Sequence, residues 1–329
     1  MTASGVRRYE EPCRPPLWAR GGHAQTLLGH VLPSRGPELG KRRGTPHREV
    51  ALDDGDRLLV FELAGTSGVR VLLMHGLSGD VNSEYMRRTA AAVAARGHGV
   101  WAVNHRGCGE GAGLARGTYH SGKTEDLRAV LAASRADAPE LTHVVVGFSL
   151  SANLGLLHLA SRAEPQPDGL IAVNPPADLH RASVDIGRGL SRLYELRFGW
   201  RLRRAIADRA RRGLDERSYS IPLGVSLLRF DDLFTAPHNG FADGLDYYRR
   251  CSALPQLNRI ETPAVIVTAG DDPFVDPSIY DGAELSPAVT LHVEPTGGHV
   301  GYLARRGLGW RRWLDGALLH YVDELAARR

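Results

Sequence analysis

Val144-Val145-Val146-Gly147-Phe148-Ser149-Leu150-Ser151-Ala152-Asn153 is the stretch on which the reading of this chain turns. An apolar run ends in a serine with small residues on both sides, Gly147 two positions before it and Ser151 two after, and a leucine-rich helical pattern follows. A strand that turns this sharply into a helix brings the two backbones nearly into contact, which excludes bulky side chains there. The same turn lifts the serine hydroxyl clear of the sheet at a helix N-terminus. The usual spacing is G-x-S-x-G; here Ser151 stands in place of the second glycine. Taken alone, the residues also suit a plain helix cap, for which serine is a favoured N-cap residue.

The surrounding chain supplies a sheet for this turn. Arg48–Leu52 and Leu58–Leu63 alternate apolar and polar residues around Asp53-Asp54-Gly55-Asp56, which reads as a hairpin turn. Val69–Met74, Val100–Val103, Val144–Phe148, Leu170–Val173, Ala264–Ala269 and Val289–Val293 are short apolar runs of the kind covered on both faces. Helical patterns at Ser83–Arg96, Lys123–Arg135, Leu150–Ser161 and Gly309–Ala327 separate or follow them. Eight strands, mostly parallel, alternating with helices predict a doubly wound α/β sheet. The rhythm breaks between Pro176 and Ile260, where Gly187–Arg212 reads as an arginine-rich helix. A structureless loop of that length would be unusual. The expectation is therefore a core of residues 1–176 and 261–329, with a helical cap of residues 177–260 inserted over the carboxyl ends of the strands, where ligands of such sheets bind.

A serine nucleophile needs a base, and the base needs an orienting acid. In hydrolases with a serine on such a turn, the chain order is serine, acid, histidine. Thr268-Ala269-Gly270-Asp271-Asp272-Pro273 places two acids directly after an apolar strand, and Glu294-Pro295-Thr296-Gly297-Gly298-His299 places a histidine in a glycine-rich loop after the next. Asp272 fits the acid's turn position, with Asp271 as the alternative. His299 has thirteen rivals among 14 histidines. His158 and His292 fall inside regular elements and His75 and His105 at strand ends; only His299 satisfies both chain order and loop setting. The oxyanion of a tetrahedral intermediate needs a pair of N–H donors. The backbone N–H groups of Leu77, after the strand ending Met74-His75-Gly76, and of Leu150, next to the serine, are the candidates.

Composition narrows the alternatives. Of 329 residues, 24% are charged and 43% hydrophobic, with 41 Lys and Arg against 37 Asp and Glu. That balance fits a globular enzyme and gives little footing for nucleic acid. Cys13, Cys108 and Cys251 are scattered, which argues against a disulfide framework or a structural zinc site and fits a reducing, cytoplasmic compartment. Met1–Pro16 lacks the apolar core of a leader peptide. Leu141–Ser161 is free of Asp, Glu, Lys and Arg, yet Thr142, His143, Ser149, Ser151, Asn153 and His158 make it a poor bilayer span; it reads as a buried strand and helix. The arginines at 201–212 read as a solvated cap face, with an acidic lipid headgroup as the lesser alternative.

At this point the chain resembles the YheT-like (EMB8-like) α/β-hydrolase family of predicted serine esterases and lipases. The matching blocks include Gly22-His23-Ala24-Gln25-Thr26, His75-Gly76-Leu77, Asn104-His105-Arg106-Gly107-Cys108, Tyr119-His120-Ser121-Gly122, Gly147-Phe148-Ser149-Leu150, Phe230-Asp231-Asp232, Asp246-Tyr247-Tyr248, Asp271-Asp272-Pro273-Phe274 and Gly297-Gly298-His299-Val300-Gly301. The resemblance implies a triad of Ser149, Asp272 and His299 and hydrolysis of small-molecule acyl esters, acylglycerols and phospholipids among them. No metal or organic cofactor is required by such chemistry. Two other outcomes of the same site are acyl transfer to an alcohol and a binding protein that keeps the fold without turnover.

Overall fold

A computed structural model describes residues 5–33, 36–215 and 217–328; residues 1–4, part of the stretch read as lacking a leader core, lie outside it. Eight strands form one sheet: β1 (His47–Ala51), β2 (Arg57–Leu63), β3 (Val69–Met74), β4 (Gly99–Asn104), β5 (Thr142–Phe148), β6 (Gly169–Val173), β7 (Ala264–Ala269) and β8 (Val289–Glu294), in the order β1-β2-β4-β3-β5-β6-β7-β8. Only β2 runs against its neighbours; from β4 to β8 every pairing is parallel. Burial on both faces explains the unbroken apolar runs. Val144, Val146 and Phe148 of β5 enter one core layer, and Val145 enters the other.

Helix α1 (Gly22–Val31) precedes the sheet in sequence, and α2 (Glu84–Ala95), α3 (Thr124–Asp137) and α4 (Leu150–Ser161) pack against it between successive strands. Every residue from Leu150 to Ala160 is buried, so the charge-free run Leu141–Ser161 is resolved as central strand β5 and central helix α4. Among the described residues no helix is long and apolar enough to cross a membrane. Buried Arg106, after β4, ties Asp54 and Asp56 of the first hairpin to Asp126 of α3 through contacts of 2.6, 2.6 and 2.7 Å.

Between β6 and β7 the chain is helical: α5 (Leu179–Asp185), α6 (Arg192–Arg211), α7 (Leu227–Phe230), a π-helical turn at Asp231–Thr235, α8 (Ala236–His238) and α9 (Gly244–Cys251). Ile206, Ile221, Val225, Phe230 and Phe234 give this stretch a small core of its own. The long helix begins at Arg192 rather than Gly187, after a 3-10 turn at Gly189–Ser191. Its arginines are not all solvated: Arg209 is buried, paired with Asp215 and donating to the carbonyls of Arg116 and Gly117.

The last helix also differs from expectation. Gly309–Arg312 is a strand, β10, paired with β9 (Leu303–Arg306), and α10 spans Trp313–Ala326. Gly307, with φ +56°, makes the reversal that the helical reading of Trp310 overlooked. Trp310 packs edge-on against Trp18 at 5.9 Å instead of entering the core. Trp313 and Tyr321 of α10 are fully buried against the layer that holds Val146 and Phe148.

Candidate active site

Ser149 sits between β5 and α4 with φ 53° and ψ −115°, a backbone conformation that non-glycine residues rarely adopt. Strain of this kind costs about 1–3 kcal/mol and persists only where packing imposes it. The packing is visible at Gly147, where a Cβ would lie 2.5 Å from the carbonyl oxygen of Ser151. Ser149 makes no side-chain capping bond to α4, which removes the plain N-cap reading. Its hydroxyl instead faces His299 Nε2 at 2.9 Å.

His299 Nδ1–H donates to Asp272 Oδ2 at 2.8 Å. The Asp272 carboxylate is buried and accepts three further bonds, from the N–H groups of Phe274 (2.8 Å) and Val275 (3.2 Å) on Oδ1 and from Asn174 Nδ2 (2.7 Å) on Oδ2. Asp271 does not meet the imidazole. Its Oδ1 accepts from the N–H groups of Gly297 and Gly298, both at 2.8 Å, and so shapes the loop that carries His299.

The loop after β3 presents its N–H groups in an informative pattern. Gly76 N–H donates to Tyr85 Oη and Ser78 N–H to Tyr119 Oη, each at 2.9 Å. The N–H of Leu77 between them, and that of Leu150 after the serine, have no hydrogen-bond partner among the described residues, and both residues line the same cavity as Ser149. A Cβ on Gly76 would lie 3.2 Å from Cβ of Ser149, which shows how closely this loop passes the hydroxyl.

Several supporting residues carried no sequence signal of their own. Asn174, at the end of β6 with φ 47°, is fully buried. Besides donating to Asp272, it accepts from Val300 N–H at 3.3 Å and Tyr302 O–H at 3.1 Å. Thr26 Oγ1 accepts from His299 N–H at 2.8 Å while donating to Gly22 carbonyl at 2.7 Å. Gln25 grips Leu303 from both sides, Nε2 donating to its carbonyl (3.0 Å) and Oε1 accepting from its N–H (2.6 Å). The block Gly22–Thr26 is thus the wall behind the histidine loop; only its sequence match could have pointed to it.

Ser151 and the rival histidines explain one another. Ser151 Oγ is buried, donates to the His75 carbonyl at 2.5 Å and accepts from His105 Nε2–H at 2.7 Å. His75 Nδ1–H donates to the Gly76 carbonyl, and its Nε2 accepts from His105 N–H. Burial holds both imidazoles far below the ordinary histidine range, so they brace the turn as neutral rings. His292, bonded to Tyr321 and Glu294, and His158 are likewise buried in packing roles.

Above the hydroxyl lies a cavity of about 1020 Å³. Its floor includes Leu77, Ser149, Leu150 and His299, and residues of α5, α6 and α7, among them Leu179, Phe198 and Phe230, form its walls.

Known proteins share the fold that carries this site. The profile described as alpha/beta hydrolase fold matches residues 69–305. YheT of Escherichia coli, which carries an esterase name, is 33% identical over 312 residues, covering 89% of this chain and 87% of that protein. A monoacylglycerol lipase of Saccharomyces cerevisiae is 26% identical over 273 residues, which is 78% of this chain and 60% of the yeast protein's length. Among solved structures, an esterase of Pyrococcus furiosus superposes with a TM-score of 0.52 at 17% identity, covering 82% of this chain and 90% of its own. At that identity the likeness speaks for the fold alone.

Proposed function

This chain belongs to the α/β-hydrolase family, in its esterase and lipase branch, and from that premise we propose that it hydrolyses carboxylic esters through an acyl-enzyme on Ser149. The observation that carries the proposal is the unbroken series that runs from the Ser149 hydroxyl and the His299 imidazole on the cavity floor to the buried Asp272 carboxylate behind them, with contacts of 2.9 and 2.8 Å.

In this reading Ser149 Oγ attacks the acyl carbon as its proton passes to His299 Nε2. Asp272 holds the Nδ1–H tautomer and stabilises the imidazolium, without itself taking the proton. The unpartnered N–H groups of Leu77 and Leu150 receive the oxyanion; each such donor is worth about 2.7–4 kcal/mol of transition-state stabilisation. His299 then returns the proton to the leaving alcohol, and water resolves the acyl-enzyme by the reverse route. The strained serine backbone supports the same reading, since strain of this kind clusters at functional positions.

Intact-mass analysis after treatment with a fluorophosphonate probe tests it. Wild type is expected to gain one adduct and Ser149→Ala none, while 4-nitrophenyl butanoate turnover falls by at least about a thousandfold in the variant. Absence of an adduct on both proteins would instead identify a binding protein with an inactive hydroxyl.

A further inference from the structure

The helical wall of the cavity carries more positive charge than its surroundings neutralise. Arg197, Arg201 and Arg204 of α6 all line it, spaced four and three residues apart and therefore on one face of the helix. None of the three forms an ion pair with a carboxylate among the described residues. Arg197 Nη2 donates to His30 Nε2 at 3.0 Å, which leaves His30 neutral and adds no countercharge. Arg204 lies over the Trp200 ring at 4.7 Å. Among the described residues Arg201 has one hydrogen-bond partner, the Ser78 carbonyl at 3.4 Å.

The other charges in the cavity do not remove this imbalance. Asp208 is engaged by Arg211 and Arg212, Asp231 by Thr235 and Tyr248, Glu84 by Arg87, and Arg209 by Asp215. Asp80 attracts Arg201 through space without forming an ion pair. Burial, with Arg197 beside it, pushes the Arg201 guanidinium below its ordinary range, and burial with Arg197 and Arg201 does the same to His30. Like charges at helical spacing work against the helix that carries them, and a half-buried guanidinium without an anion forgoes its strongest hydrogen bonds.

Position gives the imbalance a meaning. Ser78, whose carbonyl Arg201 contacts, directly follows Leu77, and Leu77, Ser149 and Arg201 line the same cavity, so the guanidinium shares that space with the hydroxyl and a proposed oxyanion donor. We propose that the substrate ester carries its own anionic group, a carboxylate or equivalent oxyanion, held by Arg201 with Arg197 a few bonds from the scissile carbonyl. This rests on the ester-hydrolase reading above and names the substrate class it serves.

Two carboxylate–carboxamide pairs test it and separate the two places the anion can occupy. Mono-4-nitrophenyl adipate against its terminal amide puts the charge on the acyl side; O-butanoyl glycolate against O-butanoyl glycolamide puts it on the alcohol side. Wild type is expected to favour the carboxylate by at least tenfold in kcat/KM in one of the pairs, and that pair identifies the side. Arg201→Met should bring the ratio to within threefold of one, and Arg201→Lys should restore most of it. Arg211→Met, on the exposed side of the same helix, should leave the ratio where it is. Because each ratio is taken within one protein, partial misfolding does not imitate the effect. Protection of Ser149 from the fluorophosphonate by adipate but not by adipamide reads the same preference without turnover. Equal or better use of the amides in both pairs, or a carboxylate preference that survives Arg201→Met, overturns the proposal while leaving the Ser149 adduct and ester hydrolysis intact. Failure of the adduct itself would instead overturn the reading beneath it.

Discussion

Ser151 shows how one side chain can stand where a glycine is usual. Its hydroxyl joins the His75 carbonyl to His105 Nε2–H beneath the serine turn. In Ser151→Gly, His105 Nε2–H retains the His75 carbonyl at 3.2 Å as a partner, so we expect a loss of only about 1 kcal/mol in urea unfolding and a normal probe adduct. Ser151→Val puts two methyl groups where one hydroxyl stood, so the fully buried space beside His75 and His105 is overpacked as well as stripped of its hydroxyl. That variant should lose at least about 3 kcal/mol. Equal stability of the two variants would show that the hydroxyl plays no bracing part. Ser149, Asp272 and His299 could be named from sequence because each stands in a local pattern that reports its own setting. Asn174 could not: its partners Asp272 and Tyr302 are 98 and 128 positions away, and nothing in Val173-Asn174-Pro175 announces them.

At the scale of elements, the histidine loop is held from outside by α1 as much as by the sheet. Gly29 faces Gly301 so closely that a Cβ would lie 2.5 Å from its Cα, and a Cβ on Gly298 would lie 2.4 Å from the Gly22 carbonyl. Backbone against backbone cannot yield by a rotamer change, so Gly29→Val must move α1 or the loop. A displacement of about 1 Å at a reacting group can cost roughly a hundredfold in rate. We expect Ser149 labelling to slow by that order in Gly29→Val while the far-UV circular dichroism spectrum is retained; unchanged labelling would mean that α1 does not position His299. The strands of the sheet were legible because burial on both faces leaves a continuous apolar run. The β9–β10 hairpin was not, because Trp310 and its neighbours mimic a helical repeat and a single Gly307 reverses the chain. The helices between β6 and β7 were legible in kind but not in number, since their packing depends on residues such as Phe230 and Phe234 meeting Ile206 from a distant part of the chain.

Across the whole molecule, buried imidazoles set the response to acid. Burial lowers His120 from 6.5 to about 4, and it lowers His75 and His105 as well. A base whose folded pKa is depressed stabilises the fold above its unfolded pKa and loses that contribution as pH falls through the folded value. His120 alone then accounts for about 3 kcal/mol between pH 6.5 and 4. Asp231 acts in the opposite sense. Burial raises it from 3.8 to about 6, so its contribution is complete below 3.8 and is lost as pH rises through 6. Burial lowers His30, His143, His158 and His238 too and raises one more carboxyl, Asp126, so seven imidazoles stand against two carboxyls; they predict a net fall in Tm from pH 7 to pH 4.5, and His120→Gln should make that fall shallower. A Tm independent of pH over this window would contradict the assignment of neutral buried rings.

The grip of Gln25 on Leu303 joins positions 278 apart in sequence. A ribosome adding about 5–20 residues per second needs roughly 14–56 s to deliver the second after the first. Throughout that interval α1 has emerged without the surface it closes on, and the loop bearing His299 does not yet exist. The nascent chain therefore stays open at α1, with the proposed triad incomplete, until the loop after β8 has been made. Helpers that shield new chains would find a long opportunity there, on a helix made early and seated late.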